Sequence, residues 1–499
     1  FGDTVGNFNY TASVSDFRTD GYRDYSRSDK QQANFKARWM LGDKASLTFV
    51  GNYMHQQGQD PLGLTFAQLN SDRRQQGTSN RNLAGNPGTA EFYGTRRTLE
   101  NSQGGVVFDT ALSDRDSLRA MFYLGNRNNE QYLALNAGTQ DNVTASGGVS
   151  VFDRDYWGTS LRWTRKLETV TFSVGAEYER ADEARKGYRN GTTSSGAQAL
   201  AAVFGFRGDL KRDERNVAEQ TGTFVQGEWA VTKDVSLSGG LRYTKMDFKS
   251  KDNFICNGGC SGTTNAAGVN PDDSGSASFS DWTSALGAIW KVTETSNFYA
   301  NAGRSFEAPT LIELAYRADG GAGLNFDLKP SVSDHYEIGF KTFLNNSTRL
   351  DMAAFYIDSS DEIVIRSNEN GRAVYQNAGD TSRKGIEFAI DSRVTQNIGT
   401  YGSITLIDAK FEDRFDTCLV AQCPSILNPL VAVGAGNKIA GIANKSFYGE
   451  VTYKHDPWGF KSALEYRASG RMFGDDTNEV RVGGYGVAAI RAGFTQKVK

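Results

Sequence analysis

Residues 170–179 read VTFSVGAEYE. Val170, Phe172, Val174, Ala176 and Tyr178 alternate with Thr171, Ser173, Gly175, Glu177 and Glu179, so an extended chain carries one greasy face and one wet face. The same period of two recurs far along the chain. Val235, Leu237, Leu241 and Tyr243 alternate with Ser236, Ser238, Arg242 and Thr244, and Phe447, Val451 and Tyr453 with Tyr448, Glu450, Thr452 and Lys454. These stretches are half-buried β-strands.

The connections between such strands sort into two populations. Short polar turns fall at Gly42-Asp43-Lys44, Ser113-Asp114-Arg115, Lys166-Leu167-Glu168, Thr232-Lys233-Asp234, Thr293-Glu294, Asn345-Asn346, Gln396-Asn397 and Asp456-Pro457. Between them lie long stretches rich in Gly, Asn, Asp and Ser, at about 57–98, 132–150, 186–213, 250–276, 305–332, 362–378, 413–441 and 471–479. Short and long therefore alternate, as the periplasmic turns and extracellular loops of an outer-membrane barrel do. Counting a strand on each side of every short turn, plus terminal strands near 7–17 and 480–496, gives roughly eighteen. The expected fold is all-β, a transmembrane antiparallel β-barrel occupying residues 1–499, located in the bacterial outer membrane. A soluble propeller or β-solenoid fits less well, because the hairpin spacing is uneven and no signature recurs per repeat.

Composition supports one β body. The 499 residues include 8 Pro and 55 Gly, with 12% aromatic residues, a mixture poor for helices. Basic and acidic residues, 55 against 58, nearly cancel, so no basic stripe advertises nucleic acid. No apolar run approaches the roughly 18 residues of a membrane-spanning helix, but alternating barrel strands average out to polar and hydropathy is blind to them. No signal peptide is visible, since Phe1 opens directly into polar, strand-like sequence, so either it was removed or the chain is a fragment. The four cysteines form two close pairs in loop-like sequence, Cys256 with Cys260 and Cys418 with Cys423. Disulfides at loop tips fit better than metal ligands, since His55, His335 and His455 lie far from both pairs and the spacings exceed those of common zinc sites.

The stretch GRSFEAPTLIELAYRADGGAGLNFDLKPSVSDHYEIGF at 303–340 resembles the mid-barrel signature of TonB-dependent outer-membrane receptors, through Phe306, Ala308, Pro309, Glu313, Leu314, Leu328, Lys329, Pro330, Glu337 and Gly339. The stretch YQNAGDTSRKGIEFAI at 375–390 resembles the family segment that follows, with Asn377, Ala378, Gly379, Gly385 and Glu387 in place. Smaller pieces such as DPLGLT at 60, YGTRRT at 93, GGVSVFDRDYWG at 147 and RKGYRN at 185 extend the likeness along the chain. Together they look most like the branch that includes a receptor for pyrroloquinoline quinone, beside branches that take up ferric siderophores. The resemblance implies an N-terminal TonB box, a plug and 22 strands ending in an aromatic residue. This sequence shows neither box nor plug and ends Gln496-Lys497-Val498-Lys499. About 18 strands of 22 then imply a partial barrel lacking about two strands at each end.

The resemblance implies three partners: a small-molecule ligand, TonB acting through the region not seen, and outer-membrane lipid. No cofactor, metal site or catalytic residue is assigned. His335 and His455 look structural, and His55, at the top of a strand near Gln56 and Gln57, reads as lumenal or loop-facing rather than catalytic. For ligand capture three basic-aromatic groups stand near strand tops: Tyr93 with Arg96 and Arg97; Arg185, Lys186, Tyr188 and Arg189; and Tyr316 with Arg317. Arginine forks match carboxylates, and aromatic faces stack on planar ligands. The plainer alternative puts such residues in the interfacial girdle or against outer-leaflet phosphates. Two other functional classes remain in view. A plugless porin or adhesin barrel would conduct ions steadily, and an outer-membrane hydrolase would turn over esters or peptides.

Overall fold

The structure is a computed structural model and describes residues 1–79, 87–192, 203–257, 269–319, 323–369, 372–419, 423 and 428–495. Nineteen strands form one antiparallel sheet in which each strand pairs with its neighbours in sequence. They are β1 (Gly2–Val5), β2 (Phe8–Thr19), β3 (Ser28–Leu41), β4 (Ala45–Gln59), β5 (Arg96–Ala111), β6 (Asp116–Tyr132), β7 (Val149–Lys166), β8 (Val170–Asn190), β9 (Arg207–Ala230) and β10 (Val235–Asp252). There follow β11 (Gly275–Thr293), β12 (Ser296–Glu307), β13 (Ser331–Asn345), β14 (Thr348–Ser360), β15 (Thr381–Arg393), β16 (Ile398–Phe411), β17 (Lys445–His455), β18 (Phe460–Ser469) and β19 (Tyr485–Phe494). Among the described residues β1 pairs only with β2 and β19 only with β18, so the sheet is open between them there. The count exceeds eighteen by one. The extra strand, β1, is four residues long and turns through Gly6-Asn7, too short for an alternation to register.

Every expected short turn joins two strands of this sheet, and the long connections leave from the opposite end. Three of the short turns share one device: the hydroxyls of Ser113, Thr232 and Thr395 each accept from the backbone N–H groups two and three residues ahead. That local bond closes the turn without a left-handed residue.

The sidedness of each strand follows from chemistry. On β8 the face of Phe172, Val174, Ala176 and Tyr178 is apolar and belongs to lipid, and the face of Thr171, Ser173, Glu177 and Glu179 is polar and belongs to the lumen. Aromatic pairs mark the limits of the lipid band. Trp157–Tyr178 and Tyr243–Trp282, each with ring centroids 5.1 Å apart, stand on the loop side, and Trp163–Phe172 at 5.4 Å and Phe298–Phe340 at 4.6 Å on the turn side. From Trp282 to Trp290 a strand climbs about 27 Å along its axis, or about 20 Å vertically once tilted, close to the apolar height of such barrels. β8 and β9, of 21 and 24 residues, are far longer than that band needs and carry their upper halves beyond it.

Above the band the connections fold on themselves. Leu314, Leu324 and Leu328 form one small apolar cluster, and Ala378, Phe411, Phe415 and Val433 another. Cys418 and Cys423 are joined in a disulfide, Cα atoms 5.6 Å apart. Of the other pair, Cys260 lies outside the described residues, and the expected Cys256–Cys260 bridge with it.

Candidate functional site

The parity that sorts lipid from lumen within the band continues up the strands. The β7–β8 register runs without interruption from Lys166↔Thr171 to Val149↔Tyr188. Arg185 therefore faces the lumen side, whereas Lys186 and Tyr188 face outward, and Arg189 lies past the end of that register, where the β8–β9 ladder shifts. The same rule divides Arg97, inward, from Arg96, outward, because β5 and β6 keep register from Ala111↔Ser117 to Arg96↔Tyr132. Clusters that are contiguous in sequence are thus split between two surfaces.

On the inward surface, register aligns residues that are distant in the chain. One row of the ladder reads Asn101, Arg127, Arg154, Glu183 and Asn216 across β5 to β9. The next reads Leu99, Asn129, Phe152, Arg185 and Glu214, and the third places Arg97 and Arg212 at its ends. Five arginines, at 97, 127, 154, 185 and 212, stand in three adjacent rows with two glutamates. Both carboxylates are engaged: Glu183 pairs with Arg154, and Glu214, although opposite Arg185 in register, turns to Arg212. Arg97 donates to the Asn129 side-chain oxygen at 2.6 Å. Arg127 and Arg185 have no carboxylate within ion-pair distance among the described residues, and the buried Nε of Arg127 has no hydrogen-bond partner there. Burial, and next the charge of Arg212, push the Arg185 guanidinium down from its ordinary range. The Tyr316 ring, 7% exposed, lies under the Arg212 guanidinium at 5.2 Å and closes one side of this wall.

The remaining candidates have structural neighbours. Tyr93 is fully buried, its ring 4.7 Å from that of Phe204, and its carbonyl accepts from Asn190. Arg96 caps the Tyr132 ring at 3.6 Å and donates to the carbonyls of Gly94 and Gly205. Arg189, 2% exposed, pairs with Asp141. Arg317 is held by both oxygens of Asp319, at 3.0 and 2.6 Å. Only Arg97, Arg185 and Tyr316 of the nine border the inward wall; Arg127, Arg154 and Arg212 complete it. Extending the alternation at 170–179 upward would have found Arg185, but no local signal joins it to Arg127. Among the described residues no three His, Cys, Asp or Glu side chains converge on a metal position.

A family model described as TonB dependent receptor-like, beta-barrel, matches residues 1–499. Solved structures share the fold. The siderophore receptor PiuA from Acinetobacter baumannii superposes with a TM-score of 0.76 at 16% identity, over 99% of this chain and 72% of that one. The ferric citrate transporter FecA in its unliganded form gives 0.72 at 16%, over 100% and 67%. The ferric yersiniabactin uptake receptor FyuA from Yersinia pestis gives 0.71 at 13%, over 99% and 69%.

Proposed function

Because this chain belongs to the TonB-dependent receptor-like β-barrels of the Gram-negative outer membrane, we propose that it forms the ligand-binding wall of an active-uptake receptor for an anionic, conjugated small molecule. A ferric siderophore bearing carboxylates, or a cofactor such as pyrroloquinoline quinone, has that chemistry. The observation that carries the reading is the inward arginine wall, above all Arg127 and Arg185, which have no carboxylate within ion-pair distance among the described residues. A half-buried cation without an ion-pair partner loses hydration in the empty receptor, and an incoming carboxylate offsets that cost while gaining charge-assisted bonds. Uptake would be driven by TonB through the plug of the intact receptor, and no reaction is assigned to the wall.

The test uses the full-length receptor and its Arg127→Ala/Arg185→Ala variant. Two lost charge-assisted bonds at roughly 1.5–3 kcal/mol each predict at least tenfold weaker binding of the transported ligand, measured calorimetrically against ferric siderophores and pyrroloquinoline quinone. Unchanged affinity for a ligand that supports uptake would remove this wall from the site. Steady conductance of the full-length protein in planar bilayers would instead favour a passive porin.

A further inference from the structure

We infer that the turn-side end of the inner wall, at Arg38, Arg119 and Arg162, is a second anion site, which takes the carboxylates of the transported ligand as it leaves the lumen. This rests on the uptake reading above and adds to it a place and a route. Two neighbouring strands carry the first observation. Arg127 of β6 is the register partner of Arg154 of β7, and eight residues nearer the turn Arg119 is the partner of Arg162. An even separation keeps parity, so both pairs face the lumen. Like charges set directly opposite one another destabilise a sheet. The same two strands nevertheless carry that arrangement twice, and an anion held between the guanidiniums offsets its cost.

The lower group is assembled by register. One row of the ladder reads Ser46, Asp109, Arg119 and Arg162 across β4 to β7. Arg38 of β3 enters from the row above, its guanidinium donating to the Ser46 hydroxyl at 3.3 Å. Asp109 answers Arg119 at 3.4 Å, whereas Arg38 and Arg162 have no carboxylate within ion-pair distance among the described residues. These side chains line a cavity of about 280 Å³, to which the adjoining turn adds Asp43 and Lys44. Four cations there face two carboxylates. The volume lies just below the usual range for small-molecule sites. It admits a compact polyanion or one carboxylated arm of a larger ligand, not a whole chelate.

Height and sector give the site its role. Trp163, beside Arg162, belongs to the lower aromatic pair, so the cavity opens where the lumen ends on the turn side. The eight residues up to Arg127 and Arg154 span about 27 Å along the strand, or about 20 Å vertically. The inward positions between them, Met121, Tyr123 and Gly125 on β6 and Tyr156, Gly158 and Ser160 on β7, carry no charge. The far side of the lower wall is less favourable: on β13 to β15 Glu337, Asp351, Glu387 and Asp391 face inward against Lys341 and Arg349. An anion released from above is therefore drawn down the β6–β7 sector. Arg38, Arg119 and Arg162 are all exposed, so their grip is weak and screened by salt, as an exit site requires.

Arginine footprinting of the detergent-solubilised full-length receptor tests the site, with phenylglyoxal as reagent, citrate as probe and sodium chloride of matched ionic strength as control. Mass spectrometry is expected to show Arg38 and Arg162 modified about fivefold more slowly in citrate, and Arg317, held by Asp319, unchanged. Equal modification in citrate and chloride would overturn the site. So would no modification in either, the mark of guanidiniums already covered within the protein. Energised uptake of ferric citrate and of pyrroloquinoline quinone by cells tests the route. Arg38→Gln/Arg162→Gln is expected to lower the maximal rate about tenfold and Arg38→Lys/Arg162→Lys to keep it, whereas Arg127→Ala/Arg185→Ala raises the half-saturating concentration. A full maximal rate in the glutamine variant, with citrate protection intact in the wild type, would mark a free-anion surface and overturn the exit role. Failure of the wild type to take up either probe would count against the uptake reading and the exit role with it, while the footprint still decides the anion site. Unaltered heat-modifiable migration of the variants on gels shows that the barrel itself is intact.

Discussion

At the scale of single residues, the upper wall depends on a few buried polar groups that sequence gives no reason to single out. Asn190 is fully buried and binds three loops at once: its side-chain nitrogen donates to the carbonyls of Tyr93 and Leu133, its side-chain oxygen accepts from the Gly205 N–H, and its own N–H donates to Gln140. Asn190→Ala strands two carbonyls and an N–H, at about 1 kcal/mol or more each. Limited proteolysis of the detergent-solubilised receptor is expected to cut the 133–148 connection at least tenfold faster, with the strands below unaffected. Lys211 makes a pH-dependent contribution to the same tier. It is 7% exposed, and burial, then the Arg189 charge, push its ammonium down to about 8. An opened loop returns that lysine to its ordinary value near 10.4. Between these values the open state holds more protons than the closed one, so closure strengthens as pH rises from about 8 to 10.4 and is at its weakest below 8. Amide protection of residues 137–145, corrected for intrinsic exchange, should climb across that window. It should lie flat in Lys211→Met, and a wild-type profile just as flat would show that the lysine does not titrate there.

At the scale of elements, inward-facing glycines are matched to aromatic rings on the next strand. Tyr123 of β6 lies opposite Gly158 of β7, so close that a Cβ at 158 would stand 2.6 Å from the ring, and Phe224 over Gly175 repeats the arrangement at 2.5 Å. The ring fills the space of the missing side chain and screens the backbone ladder. Tyr123 in turn donates its hydroxyl to Glu179 at 2.7 Å. Gly158→Val displaces the ring and breaks that bond. The cost expected is about 1–3 kcal/mol, as for overpacking elsewhere, read as a lower urea midpoint, whereas Gly493→Val, with nothing within 4 Å of a Cβ, should be nearly silent. The elements themselves were legible because period two and turn chemistry are local: the alternation at 170–179 and the Ser or Thr of the short turns need no distant partner. β1 escaped because four residues carry no period. The site was legible only in part for the opposite reason. RKGYRN reads as one basic-aromatic cluster, yet a pleated strand sends Arg185 and Lys186 to opposite faces, and only pairing with Glu214, Phe152 and their neighbours decides what Arg185 meets.

At the scale of the whole molecule, one assignment supports everything above: the parity bearing Trp282, Leu286 and Trp290 faces lipid, and membrane ends at the aromatic pairs. Leu286 lies midway between the two tryptophans on β11 and is 67% exposed, which makes it the sharpest probe of that assignment. If it contacts the bilayer midplane, Leu286→Arg should destabilise the folded receptor in vesicles by about 2–4 kcal/mol. The same substitution at Ser276, on the same face of the same strand but above Trp282, should cost about 0–1 kcal/mol. A soluble or lumen-facing surface predicts no such contrast, because an exposed arginine costs little at either position in water. Comparing urea midpoints of the two variants in phosphatidylcholine vesicles therefore tests sidedness and depth together. Equal midpoints would reverse the faces, and with them the inward direction of Arg127 and Arg185.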